Sequence, residues 1–437
     1  MLNTVCMIDW TKLLLVFKVK DLRRKVLTVL GLVAVFRILA VIPVPGIPTE
    51  SLSSLFQGNQ LFGLLDIFSG GGLSNLSLVM MGVGPYITAS IVMQLLTMII
   101  PRLEEMAKEE GEAGRRQINQ WTRVLAVPLA AMQAYGFLNL LERGGGGAGV
   151  TGFHLDTAQL LVTMVAVTAG TMLLMWLGEI ITEQGIGNGI SVLIFVGIIA
   201  RLPQTIFQTL LTWTADQWFT YGAFLAVAVV VIAGVVVITE GQRSIPVHYA
   251  KRIRGNRVMG GVSSHLPLRV NQAGVMPIIF ALSVMLFPGV IANFFVAANN
   301  QAIAGAAQSI VNAFQNQWFY GIVYFVLVVV FTYFYTSVTF DPNQIAENVQ
   351  KQGGFIPGIR PGKQTSNYLK YVLNRTTLTG ALFLGAIAVL PLLVQGVTGL
   401  TTMTIGGTAL LIVVSVVLET MKQVESQLTL REYEGFL

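Results

Sequence analysis

Residues 270–340 read VNQAGVMPIIFALSVMLFPGVIANFFVAANNQAIAGAAQSIVNAFQNQWFYGIVYFVLVVVFTYFYTSVTF and contain no charged side chain. A helix that crosses a bilayer needs about 20 predominantly apolar residues, so this stretch is long enough for two. Residues 376–418 form a second stretch of the same kind. Over the whole chain 11% of the residues are charged, whereas a soluble domain carries roughly 25%. The sequence therefore predicts an all-α integral membrane protein.

Shorter charge-free windows elsewhere in the chain predict further transmembrane helices, and one more span near the N-terminus is interrupted only by Arg37. The total is ten. The predicted spans are residues 26–44, 77–99, 121–141, 158–178, 187–203, 219–239, 271–290, 318–338, 377–396 and 404–422.

The 27 Lys and Arg residues indicate the orientation of these spans. Most of them precede the first span or lie in the second–third, sixth–seventh and eighth–ninth connections and the tail. Because positively charged loops stay on the cytoplasmic side, we expect both termini in the cytoplasm. Arg143 and Arg201 are expected in loops on the opposite side. An even number of spans agrees with this orientation.

Spans two and seven contain the same short motif. Residues 82–87 read Gly-Val-Gly-Pro-Tyr-Ile and residues 274–279 read Gly-Val-Met-Pro-Ile-Ile. The two spans hold equivalent places in two halves of five, and because five is odd the second half must be inverted. Gly- and Pro-interrupted spans at matching positions of an inverted repeat indicate a substrate path. The alternative is a chance match in a chain rich in Gly and Val.

Residues 61–75 are apolar but too short to cross a membrane. They fit either a re-entrant element held inside a cavity or an amphipathic helix lying on the membrane surface. The sequence leaves both possibilities open.

Motifs for enzymatic chemistry are absent from the sequence. It contains no zinc-protease or nucleophile-elbow motif and no phosphate-binding loop, and the single cysteine, Cys6, excludes an internal disulfide. We therefore expect no enzyme activity, no metal site and no cofactor. A secondary transporter with inverted repeats is the alternative function, but such proteins usually place ionisable residues near the middle of the membrane. Here the acidic residues fall at span ends or in loops.

Six motifs, in order along the chain, resemble the SecY family, whose members form the pore of the bacterial Sec translocon. The two most specific are Ile-Thr-Glu-Gln-Gly-Ile-Gly-Asn-Gly-Ile-Ser at 181–191 and Phe-Ile-Pro-Gly-Ile-Arg-Pro-Gly at 355–362. The others are Phe-Ser-Gly-Gly at 68–71, Gly-Pro-Tyr-Ile-Thr-Ala-Ser-Ile at 84–91, Glu-Ala-Gly-Arg-Arg at 112–116 and His-Leu-Pro-Leu-Arg-Val-Asn at 265–271. The resemblance extends over nearly the whole chain.

This resemblance implies two inverted five-helix halves around an hourglass pore that conducts unfolded polypeptides across, and membrane segments laterally into, the cytoplasmic membrane. A ring of aliphatic side chains closes the waist, where it resists ion leakage because it offers ions no hydrogen bonds. The implied ring residues are Val83, Ile87, Ile190, Ile194, Ile279 and Ile412.

The resemblance also assigns three further sets of residues. A plug in 61–75 includes Phe62, Leu64, Leu65, Ile67, Phe68, Gly70 and Gly71, with the glycines as a hinge. A lateral gate includes Thr88, Gln94, Gln133 and Phe287. A cytoplasmic docking surface includes Lys251, Arg252, Arg254, Arg257 and Arg360.

The implied partners are a ribosome, a SecA-like motor ATPase, SecE-like and SecG-like small membrane subunits, signal sequences, nascent polypeptides and membrane lipid. The implied divisions are a cytoplasmic segment 1–25, a first half 26–205 that includes the plug, a sixth helix in 206–240, a docking loop 241–270, helices seven and eight in 271–340, a docking loop 341–376, helices nine and ten in 377–422, and a cytoplasmic tail 423–437.

Overall fold

The computed structural model describes residues 19–44, 66, 69–142, 156–211, 218–249, 252–254, 257–259, 263–295, 301–398 and 404–434. The helices are α1 (Lys20–Leu39), α2 (Gly84–Ile99), α3 (Pro101–Lys108), α4 (Gly111–Glu142), α5 (Thr157–Glu183), α6 (Gly189–Leu211), α7 (Trp218–Glu240), α8 (Met276–Phe295), α9 (Gln301–Gln315), α10 (Gln317–Thr339), α11 (Pro342–Lys351), α12 (Lys363–Thr398) and α13 (Thr404–Glu434). The strands are β1 (Gln242–Tyr249), β2 (Arg252–Arg254), β3 (Arg257–Met259), β4 (Ser263–Arg269) and β5 (Gly354–Phe355).

Each of the ten predicted spans overlaps one described helix, namely α1, α2, α4, α5, α6, α7, α8, α10, α12 or α13. Among the described residues, three helical stretches are both long and apolar enough to cross a membrane: Thr157–Glu183, Gln317–Lys351 and Lys363–Val394. A fourth would be Gly84–Ile99 together with Pro101–Ala107, which meet at a bend of 107°. The count of ten therefore stays a prediction.

The start of the second predicted span was wrong by seven residues. Residues 77–83 form turns and a single bridge rather than helix, and α2 begins at Gly84 with Pro85 in its first turn. Proline is tolerated there because the first helical N–H groups have no partner within the helix. Hydropathy alone cannot show this boundary, since the turn is as apolar as the helix.

The chain divides into two compact units. The first comprises Met1–Thr214, Leu286–Val311 and Val416–Leu437, and the second Ala215–Met285 and Asn312–Ser415. In the first unit, α4 packs between α2 and α5, and α6 packs on α5. A buried apolar cluster joins the turns before α2 to α4 and α5; its members are Val44, Leu73, Leu76, Met80, Ala134, Phe137, Leu138 and Val167.

The second unit combines helices with a small antiparallel sheet. Helix α10 packs along α12, and strand β1 pairs with β4 on one side and β5 on the other. Strands β2 and β3 form a separate hairpin. The core under the sheet comprises Ile245, Val247, Leu268, Ile356, Leu369 and Val372. The two segments predicted as docking loops thus share an ordered scaffold.

Helix α5 lies unusually close to the turns that precede α2. A Cβ atom at the buried Gly170 would overlap the backbone carbonyl of Leu78, which cannot move as a flexible side chain could. At Gly31 of α1, by contrast, a Cβ atom would meet nothing within 4 Å. Glycine is therefore required for packing at 170 but not at 31.

We expect Gly170→Ala to lower the free energy of unfolding by about 1–3 kcal/mol, because overpacking shifts backbone. Gly31→Ala should leave it unchanged or raise it by up to about 1 kcal/mol, because alanine favours helix. Denaturant unfolding of the purified protein in detergent, followed by circular dichroism, measures both. Equal effects of the two substitutions would contradict the close approach.

Candidate functional site

The two copies of the Gly-Val-x-Pro-x-Ile motif adopt the same local backbone. Gly82 and Gly274, the first residue of each copy, have φ angles of +57° and +62°. This left-handed conformation strongly favours glycine because it has no Cβ. In each copy the helix then starts two residues later, with proline second in the helix. The repeat found in sequence is therefore also a repeat of local structure.

The last residue of each motif is a predicted ring isoleucine. Ile87 donates its backbone N–H to the Val83 carbonyl at 3.1 Å, and Ile279 donates to the Val275 carbonyl at 3.2 Å. These bonds close the first helical turn in both copies. Val83, Ile87 and Ile279 are all buried, and their assignment to the ring stays a prediction.

The remaining ring positions lie on α6 and α13. Ile194 and Ile412 are buried, and Ile190 is half-buried. The Ile190 Cδ1 atom lies 2.7 Å from where a Cβ of Gly178 would stand. Its side chain thus packs over a glycine of α5, and its assignment to the ring stays a prediction.

The motif at 181–191 forms the turn between α5 and α6. Gly185 and Gly187 have φ angles of +74° and +122°. The Asn188 Oδ1 atom accepts from the backbone N–H of Ile190 at 3.1 Å and of Ser191 at 3.3 Å, so it caps the N-terminus of α6. This cap fixes where α6 begins, and with it the positions of Ile190 and Ile194.

Thr182 joins the end of α5 to the start of α6. Its Oγ1 donates to the Gly178 carbonyl at 2.9 Å and accepts from the Gly189 N–H at 2.9 Å. A Cβ atom at Gly189 would overlap the Gly178 carbonyl. Glycine at 189 therefore allows the close packing that the threonine bond needs.

Gln427, in the tail to which the sequence assigned no role, contacts the same turn. Its Nε2 donates to the Gly185 carbonyl at 2.6 Å, and its Oε1 accepts from Lys25 Nζ of α1 at 3.4 Å. The sequence did not predict a role for Gln427, because its partner Gly185 is 242 residues away in the chain and no local motif includes it.

Residues 69–77, which we call the 69–77 segment, form a series of turns that α1 and α6 contact. Arg37 of α1 donates to the Gly70 carbonyl at 2.8 Å, and Arg201 of α6 forms an ion pair with Asp66. The prediction that Arg201 lies in a loop was wrong, because α6 continues to Leu211. Pro203, two residues after Arg201, lies within α6 and does not end the helix.

Asp66 lies outside the predicted spans and is 4% exposed. Burial raises the pKa of its carboxyl group, while the Arg201 charge and hydrogen bonds from Ser74 and Ser69 act in the opposite direction. Gly70 and Gly71 have φ angles of +66° and +87°, a left-handed conformation that favours glycine, and their role as a hinge stays a prediction. Phe62, Leu64, Leu65, Ile67 and Phe68 of the predicted plug lie outside the described residues.

Three of the four predicted gate residues lie on α2 and α4, which pack together. Thr88 donates to the Gly84 carbonyl at 3.1 Å, and Gln94 Nε2 donates to Ser90 Oγ at 3.3 Å, both within α2. Gln133 is half-buried on α4, which packs against α2. The Phe287 side chain lies outside the described residues.

Three of the five predicted docking residues, at 252, 254 and 257, lie on the β2–β3 hairpin, and Arg360 follows strand β5. Cross-strand register places positions 254 and 257 opposite each other in the β2–β3 hairpin. Arg360 is exposed in a turn between Gly358 and Gly362, whose φ angles are +80° and +93°. The buried Ile356 holds this turn on the core of the sheet. Lys251 and the side chains of Arg252, Arg254 and Arg257 lie outside the described residues.

Sequence comparison identifies the family of the chain. The SecY family profile matches residues 77–421. Protein translocase subunit SecY of Mycobacterium tuberculosis is 46% identical over 436 residues, covering 95% of this chain and 97% of that protein. The corresponding subunit of Streptomyces coelicolor is 44% identical over 434 residues, covering 96% and 98%. The chain belongs to the SecY family.

Solved structures agree with the SecY fold. A protein-conducting channel matches with a TM-score of 0.60 at 19% identity, covering 91% of this chain and 90% of that one. Sec61 from a canine ribosome–channel complex matches with a TM-score of 0.57 at 18% identity, covering 91% and 90%. The predicted fold class, an all-α membrane protein of the SecY type, is thereby confirmed, while the count of ten spans stays a prediction. As a SecY-family member the chain is a multi-pass membrane protein of a channel family, not of an enzyme family.

In this SecY-family turn we expect Thr182→Val to lower the free energy of unfolding by about 1–3 kcal/mol, because the Gly189 N–H loses its partner. Thr168→Val is the matched control, since Thr168 Oγ1 only donates to the Met164 carbonyl of its own helix. Denaturant unfolding in detergent measures the difference. A control as destabilised as Thr182→Val would refute the role of this bond.

Proposed function

We propose that this SecY-family protein is a protein-conducting channel that moves unfolded secretory polypeptides across the cytoplasmic membrane and membrane-protein segments laterally into it. The observation that carries the proposal is the pair of matched helix starts at 82–87 and 274–279, each ending in a buried ring isoleucine. A secondary transporter is not favoured, because the family is one of protein translocase subunits.

The channel's seal follows from the chemistry of the ring. Valine and isoleucine offer a hydrated ion no hydrogen bonds, so a constriction made of them expels water and raises the barrier to ions. The same side chains adopt several rotamers and react with nothing, so polypeptides of varied sequence can pass. Glycine turns before Ile87, Ile190 and Ile279 support this arrangement, because they set where each ring-bearing helix begins.

In the proposed mechanism the plug fills the outer funnel at rest and the lateral gate opens for signal sequences. Thr88 and Gln94 are suited to a gate because single interhelical hydrogen bonds in membranes contribute only about 0.6–2 kcal/mol. That is enough to favour closure without preventing opening. One solved relative concerns a plug domain that stabilises the closed state of its channel, which supports the same role here.

The docking surface would face the cytoplasm, as would both termini. Its Arg and Lys side chains would bind the phosphates of ribosomal RNA, because basic side chains attract the polyanionic backbone. A ribosome and a SecA-like motor ATPase are the proposed partners there, supported by a Sec61 relative solved in a ribosome–channel complex. SecE-like and SecG-like subunits are proposed to complete the channel within the membrane.

The pore assignment predicts that a translocating chain touches Ile87. In a Cys6→Ser background, Ile87→Cys should form an oxidative crosslink to a stalled secretory polypeptide that contains one cysteine. Leu382→Cys is the control, because Leu382 on α12 is 46% exposed and is expected to face lipid. Translocation without any crosslink at position 87 would refute the ring assignment.

The docking assignment predicts that Arg360→Ala weakens ribosome binding. Loss of one phosphate contact should raise the dissociation constant several-fold, by about 1 kcal/mol, and lessen its salt dependence. Lys363→Ala is the control, since Lys363 is also exposed but lies beyond the Gly358–Gly362 turn. Co-sedimentation of the detergent-solubilised protein with ribosomes over a series of salt concentrations measures both, and equal effects would contradict a specific role of Arg360.

A further inference from the structure

Two arginines stand out because their helices are predicted to cross the membrane. Arg37 is near the end of α1 and Arg201 is within α6. Charged side chains in such helices are rare and costly, and they usually face the protein interior where they find partners. Both arginines contact the 69–77 segment or Asp66, which lies three residues before it.

The contacts come from two directions. Arg37 Nη1 donates to the Gly70 carbonyl at 2.8 Å. Arg201 pairs with Asp66, and its Nη2 also donates to Ser74 Oγ at 2.5 Å. One helix therefore holds a carbonyl near the start of the segment, while the other holds a carboxylate and a hydroxyl.

Asp66 links the Arg201 contact to the shape of the segment. Its Oδ1 accepts from the Ser74 N–H at 2.8 Å and from Ser69 Oγ at 3.4 Å, while its Oδ2 faces Arg201. The Asp66 backbone carbonyl accepts from the Gly71 N–H at 2.9 Å. A change in the Arg201 contact must therefore disturb the turns as well.

The segment also fits closely against the two helices. A Cβ atom at Gly70 would lie 2.6 Å from Phe36 Cζ and 3.1 Å from Gly197 Cα, and one at Gly71 would lie 3.2 Å from Arg201 Nε. The neighbouring Leu73 is 1% exposed in the apolar cluster of the first unit. Polar and apolar contacts thus favour the same position of the segment.

We propose that Arg37 and Arg201 are positioning residues that hold the 69–77 segment, and with it the C-terminal end of the plug, in the resting channel. The Arg201–Asp66 pair is the principal contact. The inference deepens the proposed function and rests on it. Opening the channel then requires these contacts to break. Their strength therefore sets how often the resting channel opens in the absence of a polypeptide substrate.

The pair is suited to this role because removing one of its charges destabilises the resting position far more than removing both. Removing Arg201 alone leaves the buried Asp66 carboxylate without an opposite charge, which is strongly unfavourable. Movement of the segment toward water lowers this cost because water solvates the carboxylate. Removing both charges together leaves two neutral amides that can still bond. Arg201→Gln should therefore release the segment, and Asp66→Asn in the same chain should restore it.

The experiment measures how fast a cysteine introduced at position 73 reacts. Full-length protein carrying Cys6→Ser and Leu73→Cys, in sealed proteoliposomes, is exposed to a membrane-impermeant maleimide, with ion conductance and polypeptide translocation recorded alongside. The variants are Arg37→Gln, Arg201→Gln and Asp66→Asn/Arg201→Gln. The control is Arg123→Gln, which breaks an ion pair of the same unit whose acidic partner is Glu179 of α5 (2.7 Å) rather than Asp66.

We expect Arg201→Gln to raise the maleimide reaction rate at position 73 and the resting conductance at least about tenfold. Arg37→Gln should raise them less, the double variant should return near the parent, and the control should match it. Unchanged rates in both single variants, or a double variant as reactive as Arg201→Gln, would overturn the inference. Translocation reports separately: if the parent does not translocate even when SecE-like and SecG-like subunits and a SecA-like motor with ATP are supplied, the proposed function fails whatever the maleimide reaction rates are.

Discussion

A backbone inside a bilayer must satisfy its own hydrogen bonds, because the hydrocarbon offers none. Helices do this internally, but a channel also needs places where helices stop. The two best examples here are the 69–77 segment and the turn from Gln184 to Asn188. In both, side chains supply the missing partners: Asp66 and Ser69 in the first, Asn188 and Thr182 in the second. The rest of the site depends on the hydrogen bonds that hold these irregular stretches.

Glycine makes those stretches possible in two different ways. At Gly70, Gly71, Gly185 and Gly187 the backbone adopts positive φ, which costs other residues roughly 1–2 kcal/mol. At Gly170 and Gly189 the need is instead for space, since a neighbouring carbonyl occupies the place of a Cβ. A glycine turn also precedes each of α2 and α8, and in the proposed pore such turns would place the aliphatic side chains of Ile87 and Ile279 at the constriction.

Each predicted span overlaps a described helix because most of the spans exclude charge over a long window. The sequence predicted the repeated motif and its glycines because they are rare local patterns with one structural solution. It did not predict the sheet in which β1 pairs with β4 and β5. These strands are short, and β1 and β4 contain prolines and arginines, so their sequences resemble loops. Nor did it predict the Gln427–Gly185 and Arg201–Asp66 contacts, since the partners are far apart in the chain and neither residue type is unusual alone.

The placement of the two membrane arginines follows from the same constraint. An irregular segment in a membrane has carbonyls without helical partners, and an arginine is an efficient donor to them because it has five N–H groups and never loses its charge. Arg37 meets one such carbonyl at Gly70. Arg201 instead meets a carboxylate, which balances its charge, and that carboxylate bonds the turns. The charge that the membrane disfavours thereby becomes the contact that orders the turns of the 69–77 segment.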